Sequence, residues 1–221
     1  MKNKPQLKTN LIVALDYTHA QDAIGMVRTL GDSCDWYKVG MQLFFSEGEP
    51  IIRYLKQQGK QIFLDLKLND IPNTVSNALL SLKRYEPDLL TLFTSELTLK
   101  AARETVDRYD LKSKLLNVTV LTSETNGRDA VSRAKMSINA GAHGIVCSAL
   151  ETAQIRRQLQ GDYLVVNPGI RLPGNSNDDQ TRVAGPAEAA EAGASYVVVG
   201  RPITKSEDPV EMVEKILDQL S

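Results

Sequence analysis

Residues 61–74 read QIFLDLKLNDIPNT, an apolar run that passes directly into a helix-forming segment. Residues 61–68 are rich in the bulky apolar side chains that fill a buried β-strand. The proline that follows is tolerated in the first turn of a helix but not within a central strand. The stretch therefore predicts a strand joined to a helix, with three charged side chains, Asp65, Lys67 and Asp70, near the junction.

The same strand-then-helix pattern repeats along the chain. Eight short apolar runs alternate with amphipathic segments such as residues 71–86, whose apolar side chains form one stripe. Alternating strands and helices predict parallel βα units. Eight such units in 221 residues predict the α/β class and a (β/α)8 barrel, the TIM barrel, as a single domain over residues 1–221. The runs are residues 11–17, 36–41, 61–68, 89–94, 115–122, 144–149, 163–170 and 196–201.

An open, doubly wound sheet is the alternative architecture for this alternation. Its usual sign is a G-x-G-x-x-G turn after the first strand, where glycines let the backbone approach a dinucleotide. The first turn here, residues 15–23, reads LDYTHAQDA and contains no glycine. The barrel is therefore the favoured architecture.

The composition argues against several classes of function. Lys and Arg total 26 against 27 Asp and Glu, so the chain has no basic excess for nucleic acid. No apolar run approaches the roughly 20 residues of a membrane span, and the first residues lack a signal-peptide pattern. Two cysteines and two histidines show no metal-binding or disulfide spacing. We expect a cytoplasmic protein without a nucleic-acid, membrane or His/Cys metal partner.

Polar side chains recur at the carboxyl ends of the predicted strands. In a (β/α)8 barrel these ends form one rim, where active sites of the fold are built. The sequence therefore predicts that residues distant in the chain meet at one site. They are Asp16, Lys38, Asp65, Lys67, Thr122, Ser123, Arg171 and Arg201.

The charges of the third strand predict an ion-pair network. Side chains alternate between the faces of a strand, so Asp65 and Lys67 share the barrel interior, beside Lys38 of the second strand. Burying one such charge alone costs several kcal/mol, whereas alternating signs allow all to stay ionised. We expect a network of Lys38, Asp65, Lys67 and Asp70. The same spacing also fits a network that only stabilises the barrel.

The last two strands suggest a phosphate-binding end. Gly200 and Arg201 follow the eighth strand and precede a short helical segment, where backbone N–H groups of this fold commonly bind phosphate. Residues 167–182, NPGIRLPGNSNDDQTR, have the composition of a loop that could close over a ligand. Each feature alone also fits an ordinary surface loop.

Taken together, these motifs resemble those of the orotidine 5'-phosphate decarboxylase family over residues 11–210. The resemblance implies a homodimeric (β/α)8 barrel that needs no cofactor and no metal. It implies that the chain converts orotidine 5'-monophosphate to UMP and CO2 in de novo pyrimidine biosynthesis. The matching segments are VALD (13–16), WYKVG (36–40), FLDLKLNDIPNTV (63–75), VTVLTS (118–123), PGIR (168–171), DDQ (178–180) and VVVGRPIT (197–204).

The resemblance also implies roles for individual residues. Lys67 would donate the proton to C6 of the pyrimidine, flanked by Asp65 and Asp70, while Asp16 and Lys38 would hold the ribose hydroxyls. Residues implied for the base, for the phosphate and for the partner subunit's site follow in that order. They are Thr122 and Ser123 for the pyrimidine, Gln180 between base and phosphate, Arg171, Gly200 and Arg201 at the phosphate, and Asp70, Ile71 and Thr74 across the dimer interface, with Pro168 a further substrate-binding residue.

Three segments depart from the usual family pattern. Asn69 replaces a histidine, Asn167 replaces a threonine, and residues 91–98 read TLFTSELT where a histidine followed by small residues is common. Other functions also fit a D-x-K-x-x-D strand. They are a metal-dependent aldolase like the hexulose-phosphate synthases, an aldolase with Lys67 as Schiff base, and a non-catalytic sugar-phosphate binding barrel.

Overall fold

A computed structural model describes residues 8–120, 129–172 and 184–221. Eight parallel strands close into a barrel in chain order, and β1 pairs with β8 through Leu11 and Val197. The predicted (β/α)8 barrel is confirmed, and the open-sheet alternative is wrong because the sheet has no edges. The strands are β1 (Asn10–Ala14), β2 (Trp36–Gly40), β3 (Gln61–Leu68), β4 (Leu89–Leu92), β5 (Lys114–Val118), β6 (Gly144–Val146), β7 (Leu164–Asn167) and β8 (Tyr196–Val199).

Helices follow the strands and surround the barrel. Their starts carry the expected signals: Pro72 opens one helix, and the side chains of Ser95 and Asp208 accept backbone N–H groups at the starts of two others. Within the described ranges, no helix is long and apolar enough to cross a membrane. The helices are α1 (Ala20–Leu30), α2 (Met41–Gln57), α3 (Pro72–Leu82), α4 (Glu96–Arg108), α5 (Ala130–Asn139), α6 (Ala149–Gln158), α7 (Pro186–Glu191), α8 (Arg201–Thr204) and α9 (Pro209–Gln219).

The core has two layers, because successive residues of each strand face opposite sides of the sheet. Ile12, Phe63 and Val198 fill the barrel interior. Val13 and Leu64 pack outward against the helices. Burial of each large apolar side chain contributes about 1.5–3 kcal/mol to stability. Since apolar side chains fill the interior, polar groups can gather only at its rim.

The loop between β1 and α1 is tied to α2. Glu47 interrupts the helical geometry of α2, and its carboxylate accepts the backbone N–H of Ala20 at 2.8 Å and contacts His19 Nδ1 at 3.1 Å. The Ser46 hydroxyl donates to the Thr18 carbonyl at 2.7 Å. These contacts hold the chain segment that carries Asp16 at the rim.

Candidate active site

A cavity of about 220 Å³ opens at the carboxyl ends of the strands. Its floor is apolar and includes Phe63, Val146 and Val198 from the barrel interior, whereas its wall is charged. Eight of the residues predicted from the sequence line it: Asp16, Lys38, Asp65, Lys67, Pro168, Arg171, Gly200 and Arg201. The structure therefore brings these eight residues together at one rim.

Lys67 and Asp65 form the central ion pair of this wall. Lys67 Nζ donates to both carboxylate oxygens of Asp65, each at 2.8 Å. The side chains are 29% and 14% exposed, respectively, so water screens the pair only in part. An ammonium group is thereby held at the cavity wall with its position set by two charge-assisted hydrogen bonds.

The two side chains meet through an irregular strand. The pairing of β3 with β4 shifts register between Leu64 and Leu68, and Lys67 has a φ of +49°. Regular alternation, which the sequence suggested as the cause of their proximity, is therefore wrong at this position. A left-handed conformation costs a non-glycine residue roughly 1–2 kcal/mol, so other contacts must hold Lys67 in place.

Thr91 of β4 supplies such contacts. Its hydroxyl accepts the backbone N–H of Lys67 at 2.9 Å and donates to Asp65 Oδ1 at 2.8 Å. The side chain is 0% exposed. Sequence analysis did not identify Thr91 as a site residue. The only signal was a hydroxyl within the apolar run LLTL, whose neighbours in space depend on strand register.

A second ion pair joins β2 to the end of β1. Lys38 Nζ donates to Asp16 Oδ1 at 2.6 Å, and Lys38 is mostly buried whereas Asp16 is exposed. A Cβ atom on Gly40 would lie 2.9 Å from Lys38 Nζ, so glycine leaves the space that the amine occupies. Lys38 thus pairs with Asp16, and Lys67 pairs with Asp65.

Asp70 lies outside both pairs. It is exposed, its Oδ1 accepts the N–H of Ile71 at 2.7 Å, and its carbonyl accepts the Thr98 hydroxyl at 3.2 Å. Among the residues that the structure describes, Asp70 forms no ion pair. The predicted four-residue network is therefore incomplete within one chain, because the backbone turns outward toward α3 after Lys67. Ile71 and Thr74 are also exposed there.

The opposite side of the cavity is built by β7 and β8. Pro168 follows β7, and Arg171 pairs its backbone with Ala184 through an N–H to carbonyl bond of 3.0 Å. Gly200 and Arg201 lie at the start of α8, the short helix predicted after the eighth strand. Arg171 and Arg201, which follow β7 and β8, thus both line the cavity. Thr122, Ser123 and Gln180, predicted for the base and its cover, lie outside the described residues.

Asn167, predicted from the sequence as a departure from the family pattern, holds the end of β7. Its Nδ2 donates to the Cys147 carbonyl at 2.9 Å and lies 2.9 Å from the Thr152 hydroxyl. All three residues are fully buried. Burial raises the pKa of the Cys147 thiol to about 12, so this cavity-lining thiol stays neutral. The departure therefore creates a polar clamp between β6, β7 and α6.

The other departures alter the rim less directly. Asn69 is exposed. Phe93 lies under the guanidinium of Arg133 at 5.6 Å, and Arg133 donates to the Thr119 carbonyl at 3.1 Å. The aromatic ring and the cation together link the segment after β4 to α5.

A closed parallel barrel with a charged cavity at the carboxyl ends of its strands defines the class of (β/α)8-barrel proteins whose sites are built on the rim. Within that class, the chain belongs to the orotidine 5'-phosphate decarboxylase / HUMPS family, whose sequence profile matches residues 9–216. The family resemblance predicted from the sequence motifs is thus confirmed.

Individual relatives agree with this assignment. The orotidine 5'-phosphate decarboxylase of Neisseria gonorrhoeae is 39% identical over 227 residues, covering 96% of this chain and 92% of the relative. That of Bacillus cereus is 39% identical over 232 residues, covering 96% and 98%. The crystal structure of orotidine 5'-phosphate decarboxylase from Lactobacillus acidophilus superimposes with a TM-score of 0.82 at 34% identity, covering 96% of this chain and 99% of that one.

Proposed function

We propose that this chain decarboxylates orotidine 5'-monophosphate to UMP and CO2 in de novo pyrimidine biosynthesis, without a cofactor, and that Lys67 protonates C6. The observation that carries the proposal is the Lys67 ammonium, held 2.8 Å from both oxygens of Asp65 in the charged cavity. In support, relatives that are 39% identical over nearly the whole chain are named orotidine 5'-phosphate decarboxylase.

The chemistry of the reaction needs a preorganised cation. Loss of CO2 leaves an electron pair on C6 that the pyrimidine ring cannot delocalise, so a fixed positive charge beside C6 lowers the barrier. Lys67 supplies that charge and then the proton, leaving a neutral amine that solvent reprotonates. Asp65 orients the ammonium throughout. Its own charge also disfavours a nearby substrate carboxylate, by about 4 kcal/mol at about 4 Å and an effective dielectric near 20.

The rest of the cavity fits the other parts of the nucleotide. Arg171 and Arg201 offer guanidinium groups for the phosphate, with Pro168 and Gly200 shaping that end. Asp16 and Lys38, paired at 2.6 Å, are suited to the ribose hydroxyls. For the base we retain the predicted roles of Thr122, Ser123 and Gln180. Phosphate binding remote from C6 would then contribute to catalysis through substrate positioning.

A homodimer is part of the proposal, with Asp70, Ile71 and Thr74 reaching the partner's site. In support, Asp70 is exposed with its Oδ1 on the Ile71 N–H, and Ile71 is 66% exposed. Leu97, at the start of α4 and next to the Thr98 that contacts Asp70, is 70% exposed. Burying such side chains in an interface contributes about 1.5–3 kcal/mol each. We further propose one domain over residues 1–221 and a cytoplasmic location.

An assay of orotidine 5'-monophosphate consumption tests the proposal against its alternatives. The loss of the substrate's ultraviolet absorbance should proceed unchanged with a chelator present. A magnesium-dependent, formaldehyde-linked reaction would instead favour a hexulose-phosphate synthase activity. Trapping with borohydride would reveal a Schiff base on Lys67, which the two hydrogen bonds from Nζ to Asp65 disfavour because they engage the nitrogen that would have to attack. Nucleotide binding without turnover would leave only the binding function.

A further inference from the structure

Thr91 is the fully buried residue behind the Lys67–Asp65 pair, and it contacts both members. We propose that Thr91 is a positioning residue for the decarboxylation, which fixes the backbone of Lys67 and the carboxylate of Asp65 through one hydroxyl group. The inference rests on the proposed function for its kinetic consequences. Its structural content, the role of the hydroxyl in holding Lys67, can be tested without turnover.

The hydrogen-bonding capacity of a hydroxyl makes the arrangement specific. Thr91 has one proton to donate, and Asp65 Oδ1 accepts it at 2.8 Å. A lone pair of the same oxygen accepts the Lys67 N–H at 2.9 Å. The Lys67 N–H can only donate a hydrogen bond, and the Asp65 carboxylate can only accept one. The Thr91 hydroxyl therefore has one orientation that satisfies both.

The Lys67 backbone needs such a contact. The strand slips in register between Leu64 and Leu68, so Lys67 lies in the irregular stretch just before the ladder to β4 resumes at Leu68. Its left-handed φ of +49° is unfavourable for a side chain with a Cβ atom. The Thr91 hydroxyl replaces the missing ladder partner for the Lys67 N–H.

The same hydroxyl sets the direction of the ammonium. Asp65 Oδ1 receives both the Thr91 hydroxyl and Lys67 Nζ, and Oδ2 receives Nζ alone. The carboxylate therefore cannot rotate without losing a bond to Thr91, and Nζ follows the carboxylate. Thr91 itself would act only through these two residues, since its side chain is 0% exposed.

Three variants of Thr91 separate positioning from packing. Thr91→Val keeps the volume and removes the hydroxyl, Thr91→Ser keeps the hydroxyl, and Thr91→Cys keeps only a weak donor and acceptor. We expect Thr91→Val to lower kcat for orotidine 5'-monophosphate by about 10- to 100-fold. The KM and the dissociation constant of UMP should change by less than about threefold, because Lys67 acts on C6 and not on the phosphate. Thr91→Ser should recover kcat to within about threefold of the wild type.

Amide hydrogen exchange of Lys67 gives a readout that does not depend on activity. Its N–H should exchange at least about tenfold faster in Thr91→Val than in the wild type, and at the wild-type rate in Thr91→Ser. The Lys67 N–H could exchange faster in Thr91→Val than in the wild type, as expected, while the wild type consumes no orotidine 5'-monophosphate. In that case the proposed function fails and the role of the hydroxyl stands.

Other outcomes overturn the inference. An unchanged kcat in Thr91→Val, or an equal loss of kcat and UMP affinity in Thr91→Val and Thr91→Ser, would show that Thr91 only packs. Unchanged Lys67 exchange in Thr91→Val would refute the contact itself. If Thr91→Val does not fold, kcat must be lowest and Lys67 amide exchange fastest in Thr91→Cys, with Thr91→Ser close to the wild type. Equal values in all three would contradict the proposal.

Discussion

Replacing Asn167 by alanine tests the buried clamp at the end of β7. The change removes the donor to the Cys147 carbonyl and one partner of the Thr152 hydroxyl, which keeps the Ser148 carbonyl as an acceptor at 3.3 Å. One buried polar group left without a partner costs about 1–3 kcal/mol, so the loss should be about 1–3 kcal/mol. For a chain of this size, each kcal/mol lowers Tm by about 2–4 °C, which predicts a fall of roughly 2–12 °C.

The assay is thermal unfolding of the purified chain, followed by far-ultraviolet circular dichroism and checked by urea denaturation. Asn139→Ala is the matched control, because Asn139 is exposed at the end of α5 and its replacement should change stability by no more than about 0.5 kcal/mol. Asn167→Thr should fall between the two, since a hydroxyl can satisfy only part of the clamp. A Tm for Asn167→Ala within about 2 °C of Asn139→Ala would refute the reasoning.

Three further predictions concern the phosphate, the dimer and pH. Arg201→Ala should raise the KM for orotidine 5'-monophosphate but leave the slow turnover of orotidine unchanged, because only the former has a phosphate; an equal loss on both substrates would contradict this. Lys67→Ala and Asp70→Ala, each inactive alone, should together recover up to about a quarter of wild-type activity after subunit exchange, because half the dimers are mixed and one of their two sites is whole; no recovery after verified exchange would place Asp70 in its own site. Burial, and secondarily Arg103, lower the pKa of His143 from its ordinary value of 6.5, and its Nδ1 accepts the Leu115 N–H at 3.0 Å. The neutral ring therefore contributes stability above pH 6.5 that is lost as the pH falls toward the lowered pKa. Urea midpoints between about pH 7.5 and about pH 5.5 should fall less for His143→Asn, which keeps an acceptor, than for the wild type; parallel curves would exclude His143 as the cause.

The barrel could be predicted because hydrophobic alternation reports directly on parallel βα units. The ends of the strands could not be predicted as well. The apolar run 163–170 continues past β7, which ends at Asn167, because Ile170 is buried at the rim without belonging to the strand. A buried position favours an apolar residue, whether or not it belongs to a strand. A strand also requires ladder hydrogen bonds, and the sequence indicates burial more clearly than it indicates these hydrogen bonds.

The sequence predicted which charged residues line the cavity, but not all of their pairings or how they are held. Asp65 and Lys67 stand out because charges rarely interrupt a buried strand. The bulge that brings them together, and the Thr91 hydroxyl behind it, depend on the register between β3 and β4. No periodicity within one strand encodes that register. The pairing of Lys38 with Asp16 likewise depends on backbone geometry after β1.

The central claim, that Lys67 is the proton donor of a cofactor-independent decarboxylation, is tested most directly by one comparison. Orotidine 5'-monophosphate consumption is measured for the wild type and for Lys67→Ala in the presence of a chelator, with UMP binding measured on both. Rapid turnover by the wild type and none detectable by Lys67→Ala, at UMP affinities within about fivefold, is the predicted result. More than about a tenth of wild-type kcat in Lys67→Ala, or a wild type that stops when metals are chelated, would contradict the claim.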